Sequence, residues 1–95
     1  MSAYIVVDIR VRDPEGYAQY RAAVPPLVAK YGGRYLVRGG AIEVMEGDWQ
    51  PERLVVIEFP SVEQAKAFLH APEYTSLRAT RRATTDSNLV IVPGV

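Results

Sequence analysis

The sequence predicts an α+β fold: a four-stranded antiparallel sheet with its helices on one face. Three observations predict it. Apolar residues recur at every second position in several short runs, as strands require. Two stretches open on helix-start signatures and then carry apolar residues three and four apart. The elements run strand, helix, strand, strand, helix, strand, which is the split βαβ order.

Tyr4 to Arg12 alternates, with Ile5, Val7, Ile9 and Val11 on one face and Tyr4, Val6, Asp8 and Arg10 on the other. Asp13-Pro14-Glu15 then reads as a helix start, with Asp at the N-cap, Pro at the first helical position and an acid in the first turn. Tyr17, Tyr20 and Val24, followed by Leu27, Val28 and Tyr31, form its apolar side. Pro25-Pro26 predicts a kink or two short helices in tandem, because each ring removes an N–H and crowds the preceding turn. Gly32-Gly33 supplies a left-handed exit.

Arg34 to Arg38 and Ala41 to Glu46 are strand-like, and Gly39-Gly40 between them predicts a tight hairpin or a bulge in one long strand. Gly47 to Pro51 is a loop. Glu52 to Phe59 carries apolar residues of both parities, which predicts a central strand covered on both sides. Ser61 caps the second helix, Gln64 completes a capping box, and Val62, Ala65, Phe68 and Leu69 face inward. Pro72-Glu73-Tyr74 starts a further helical stretch with Tyr74, Leu77 and Arg78 on one side. Ser87 to Val92 is the last strand, stopped by Pro93-Gly94.

Ninety-five residues predict one domain, residues 1–95, of the ferredoxin-like kind. With no cysteine, neither a disulfide nor a thiolate metal site reinforces so short a chain. One face of the sheet lacks a helix, yet its residues include Tyr4 and Val6. A second copy is the economical cover for such a face, so a homodimer is expected. Lysine plus arginine equals aspartate plus glutamate, 11 each, which gives no net field for a polyanion. The first residues show no basic leader before an apolar run, and the apolar runs fall far short of the roughly 20 residues of a membrane span. A cytoplasmic protein that binds neither membrane nor nucleic acid is expected.

A set of local motifs carries a resemblance. Asp13-Pro14-x-x-Tyr17-x-x-Tyr20, Val24-Pro25 and Gly32-Gly33-Arg34-Tyr35-Leu36-Val37-Arg38-Gly39-Gly40 come first. Glu46-Gly47-Asp48-Trp49, Glu58-Phe59-Pro60-Ser61 and Pro72-Glu73-Tyr74 follow. Together, from about Tyr4 to Val92, they resemble the small bacterial family known as domain of unknown function thirteen-thirty. The resemblance implies a dimeric α+β barrel, in which two ferredoxin-like sheets pack face to face, and it brings no accepted activity. Related barrels include cofactor-free monooxygenases of quinol-like aromatics, muconolactone-type isomerases and haem-degrading enzymes, which keep a pocket between sheet and helices. His70 departs from the pattern, standing where members commonly carry an acid.

The residues exclude several chemistries. One histidine and no cysteine cannot build a zinc site, and neither metal nor cofactor is expected. Axial haem ligation would need only His70, but a lone histidine at a helix end is more often a cap. Ser61 is explained as a helix cap, with no nucleophile elbow around it. The glycine pairs lack the spacing of a dinucleotide fingerprint. RNA-recognition modules share the split βαβ order, but they present stacking aromatics on an open sheet, and that face is expected to be occupied here. Arg78, Arg81 and Arg82 read as a solvated face.

What remains is a polar-aromatic set on apolar elements. A carboxylate in an apolar strand costs several kcal/mol, roughly, unless paired or protonated, so Glu58 needs a partner, and an arginine ion pair outweighs a catalytic role. Tyr17, Tyr20, Tyr74 and Trp49 offer more polar handles than a plain core needs. The leading expectation is a homodimeric small-molecule-binding barrel that acts, if an enzyme, without a cofactor on a small aromatic or enolisable acid. Arg38 or Arg78 would bind the anion, Glu58 or His70 would move the proton, and Tyr17, Tyr20, Trp49 and Tyr74 would shape the pocket. The alternative is a non-catalytic dimerisation or stress-associated module whose tyrosines are core.

Overall fold

Alternation along the first strand decides how the sheet is buried. In a computed structural model, which describes residues 1–95, β1 (Ala3–Val11) buries Ala3, Ile5, Val7 and Ile9 and leaves Tyr4, Val6 and Asp8 half-buried on the other side. The chain continues through α1 (Pro14–Lys30), β2 (Arg34–Arg38), β3 (Arg53–Phe59), α2 (Val62–Leu69), α3 (Pro72–Thr84) and β4 (Thr85–Pro93). The strands pair antiparallel in the order β2-β3-β1-β4, the ferredoxin-like arrangement that the element order predicts. Three helices cover one face, and the core lies between them and the odd-numbered residues of β1 and β3.

The helices begin where their caps dictate. The Asp13 side chain accepts from the Gly16 N–H at 3.2 Å, and Ser61 Oγ accepts from the Gln64 N–H at 3.0 Å. The second half of the expected capping box does not close. Gln64 Nε2 donates instead to the Tyr31 carbonyl at 2.9 Å, which ties α2 to the end of α1. The two short helices in tandem expected as one outcome of Pro25-Pro26 do not form, since α1 runs unbroken from Pro14 to Lys30. Pro25 leaves the Arg21 carbonyl without its helical donor. Arg38 Nη2 reaches across from β2 and donates to that carbonyl at 2.6 Å, so the interruption is repaired by a side chain from another element.

Gly32, with φ +82°, turns the chain out of α1, and the Gly33 N–H donates to the Val28 carbonyl at 2.9 Å. The expected strand at Ala41–Glu46 is not formed. Gly39 donates to the Leu54 carbonyl at 2.9 Å, and Gly39 and Gly40 then take φ of +80° and +97° and lead the chain off the sheet. Residues 41–50 are exposed and unpaired: they neither extend β2 along β3, which begins at Arg53, nor fold back on the free edge of β2. The ladder irregularity falls instead between Tyr35 and Val37.

The uncovered face is organised by register. Val90 opposes Val6, Val6 opposes Val56, and Val56 opposes Val37, so one row of valines crosses all four strands. Val90 is 53% exposed and Val37 and Val92 are exposed as well. Central position alone therefore does not cover β3 on both sides, because its second face lies bare in the protomer.

Candidate functional site

The site that the chain builds most distinctly is a narrow cleft between α1 and the β2-β3 edge of the sheet. Tyr17 and Tyr20 descend from α1, Tyr35 and Arg38 come from β2, and Arg53 comes from the first position of β3. Val7, Val55 and Ile57 floor it, and Arg21 stands exposed at its mouth. Its free volume is about 30 Å³, of the order of two waters, since about 10–15 Å³ suffices for one. Three guanidinium groups line it, and no carboxylate does.

Stacking holds the lining in place. The Arg53 guanidinium lies 5.8 Å from the Tyr17 ring centroid, and that of Arg38 lies 4.9 Å from the Tyr35 ring. Tyr17 stacks on Tyr20 at 5.8 Å, and the Tyr20 hydroxyl shares a 2.8 Å hydrogen bond with that of Tyr74. Burial pushes the Tyr20 phenol far above the ordinary tyrosine range, and the neighbouring Tyr74 adds to it. Burial raises Tyr35 too, against the opposing charge of Arg38. Both phenols are therefore neutral hydrogen-bonding groups at physiological pH.

The eight expected site residues do not share one cavity. Tyr17, Tyr20 and Arg38 line the cleft, and Tyr74 touches it through Tyr20. Arg78 does not line the cleft; it lies over the Tyr74 ring at 5.3 Å and donates to the Leu69 carbonyl. His70 is exposed at the C-cap of α2, where its backbone N–H donates to the Lys66 carbonyl at 2.9 Å. Trp49 is 60% exposed on the opposite side of the sheet, and its Nε1 donates to Asp8 Oδ2 at 3.0 Å. There it walls an open groove of about 690 Å³ that also includes Arg10, Asp48, Arg82 and Asp86. That groove is larger than the cleft, but its charges are mixed and its walls are open, so the cleft is the stronger candidate.

Glu58 also lies on the open face, as its even position on β3 requires. Arg34 Nε donates to one carboxylate oxygen at 2.7 Å and the Tyr4 hydroxyl to the other at 3.4 Å. The hydrogen bond from Arg34 is the main reason the Glu58 carboxyl is held below the ordinary range of 4.5. Glu58 is thus an ionised partner of Arg34, across the sheet from the cleft. A depressed folded-state pKa stabilises the fold above the unfolded value and ceases to do so as pH falls through the lower folded value. Glu58→Gln is accordingly less stable than wild type near neutrality, and the gap closes below pH 4.5. Urea unfolding of both proteins near pH 7 and near pH 3 checks this, and a gap that stays constant contradicts it.

The cleft's most buried cation was not among the expected site residues. Arg53 lies five positions before Glu58 on β3, and five positions along a strand place two side chains on opposite faces. Read by parity, Arg53 joins Val55, Ile57 and Phe59 on the core side, and that signal was present in the sequence. Arg81 corrects a second expectation. It is not solvated like Arg82 but only 7% exposed, and its Nη1 donates to Ser87 Oγ at 2.8 Å.

A sequence model of the family described as "Domain of unknown function (DUF1330)" matches residues 2–95. The chain belongs to the DUF1330 family. None of the curated proteins matches this DUF1330 chain by sequence. Among solved structures it is similar to RPA0582 of Rhodopseudomonas palustris, a protein of unknown function, at 21% identity and a TM-score of 0.81, over 99% of this chain and 82% of that one. It is also similar to SnoaB of Streptomyces nogalater, a cofactor-independent oxygenase, at 14% identity and a TM-score of 0.72, over 99% and 93%. A dimeric ferredoxin-like protein of unknown function from Thermobifida fusca aligns at 15% identity and a TM-score of 0.65, over 99% and 92%. At these identities the likeness establishes the ferredoxin-like fold of the DUF1330 chain.

Proposed function

We propose that this DUF1330 protein is a homodimeric small-molecule-binding barrel whose cleft between α1 and the sheet takes the acidic end of a small aromatic or enolisable acid. The observation that carries the proposal is the lining: three arginines and three tyrosines around one opening, with no carboxylate among them. Such a lining draws anions in and stabilises them once bound. The homodimer is supported by the bare valine row and by dimeric relatives of the same fold. It would operate in the cytoplasm without metal or cofactor.

The cation-rich cleft also supports chemistry on the bound acid. Arginines beside an enolisable or phenolic ligand favour its conjugate base and so lower the pKa of the ligand itself. No carboxylate or histidine lines the cleft to take the proton, so the acid would ionise to solvent and the resulting anion would be held by the protein. The cofactor-independent oxygenase among the structural relatives favours this second, enzymatic reading. Glu58 and His70 would then serve the fold rather than the proton transfer.

A thermal-shift screen of small aromatic acids on the purified protein tests the proposal. A ligand at ten times its Kd adds about 1.4 kcal/mol, which raises Tm by several degrees in a chain of this size. Absence of any shift across benzoates, hydroxybenzoates and short enolisable acids favours the non-catalytic dimerisation or stress-associated module.

A further inference from the structure

The inner end of the cleft holds a cation whose binding edge is unused. Arg53 Nε and Nη2 are both sealed from solvent, and neither has a hydrogen-bond partner. Buried guanidinium N–H groups are normally satisfied, and leaving them bare is costly. These two nitrogens lie on the same side of the planar group, where their N–H bonds run parallel and match the two oxygens of a carboxylate.

The surroundings hold the guanidinium and close over that edge without bonding to it. Tyr17 covers one side at 5.8 Å. Gly39 packs so closely that a Cβ there would lie 2.7 Å from Arg53 Nη1, and its φ of +80° suits glycine. Arg53 lines a free space of about 30 Å³, roughly what two oxygens need, and a carboxylate held there reaches Nε and Nη2 once the side chains covering them shift. A tetrahedral phosphate presents four oxygens and fits that space less well. Arg21 and Arg38 stand exposed at the mouth, where the body of an acid would emerge.

We propose that Arg53 is the anchor for the ligand's carboxylate, which it receives through Nε–H and Nη2–H together. This rests on the cleft reading above and goes beyond it by assigning the head group and the residue that binds it. The remainder of the acid passes Tyr35 and Arg38 toward solvent, so specificity for the head is set inside the cleft and tolerance for the tail at its rim.

The test is a titration of the ¹⁵N-labelled full chain with benzoate, benzamide and inorganic phosphate, followed by NMR. Benzoate is expected to move the Arg53 Nε–H resonance downfield together with the backbone amides of Tyr17 and Val55. Benzamide and phosphate are expected to bind at least about tenfold more weakly. Arg53→Lys keeps the charge but loses the parallel edge, and it is expected to weaken benzoate about ten- to a hundredfold. The wild-type Nε–H shift stands as evidence even if that variant does not fold. If the cleft amides respond to benzoate while Arg53 Nε–H stays still, the anchor is overturned and the cleft reading survives. The same follows if benzamide or phosphate binds as tightly as benzoate, or if Arg53→Lys binds it as wild type does. If neither benzoate nor benzamide moves any cleft amide, the cleft reading itself fails, and the anchor with it.

Discussion

Replacing Tyr74 with alanine lowers the unfolding free energy by about 3–5 kcal/mol, the range for truncating a large buried aromatic. Tyr74 is 1% exposed and belongs to the cluster that joins α1, α2 and α3 to the sheet. Its ring meets Phe68 at 4.8 Å between centroids and Tyr20 at 6.4 Å, so truncation leaves a cavity bordered by two further rings. A chain of 95 residues has a total stability of roughly 5–14 kcal/mol, and one substitution would consume much of it. Tyr74→Phe separates packing from polarity. It keeps the ring but strands the buried Tyr20 hydroxyl, which costs about 1–3 kcal/mol. Urea unfolding of both variants is the measurement. A Tyr74→Ala cost below about 1 kcal/mol would mean that the helices do not rest on this ring.

Val56→Lys converts the proposed homodimer to monomers. Val56 lies within the valine row, between Val6 and Val37 on neighbouring strands. In a lone protomer a lysine there extends into water along its own stem and changes little. In a sheet-to-sheet dimer the substitution occurs in both copies and puts two like charges into an apolar interface. Several kcal/mol of desolvation, at about 1.4 kcal/mol per tenfold, weaken association by roughly a thousandfold or more. Light scattering at micromolar concentration should give twice the chain mass for wild type and a single chain mass for the variant. A wild-type monomer of undiminished stability would refute the dimer, and so would a variant that still dimerises.

The two effects arise on opposite faces of one sheet, and they differ in how readable they were. The caps at Asp13 and Ser61 and the burial of Tyr17, Tyr20, Val24, Leu27 and Val28 follow local rules, and periodicity alone located them. The strand assigned to Ala41–Glu46 failed because alternation reports only the capacity to pair, and the chain after Gly39-Gly40 does not return to the free edge of β2. The split of α1 into two short helices at Pro25-Pro26 failed for a related reason. Loss of an N–H is local, but the Arg38 guanidinium that compensates for it comes from a strand 13 residues away in sequence.

The candidate site was legible only in part. Tyrosines at helical spacing signalled an aromatic wall, and Arg38 beside the glycine pair marked its mouth. Glu58 was rightly expected to need an arginine, and Arg34 filled that place through cross-strand register. Arg53 needs strand parity to be placed: it shares the core face with Val55 and Ile57, opposite Glu58.

By itself the order of residues determined the element sequence, the helix starts, the oily second side of the sheet and the membership of the DUF1330 family. These depend on contacts within a few positions or on repeating patterns, which a linear chain displays openly. Only the tertiary structure decided which arginine meets Glu58, which one mends α1, and which one is left buried with its binding edge bare. Such outcomes depend on which side chains cross the gap between elements distant in the chain, and that distance exists only once the sheet has closed against its helices.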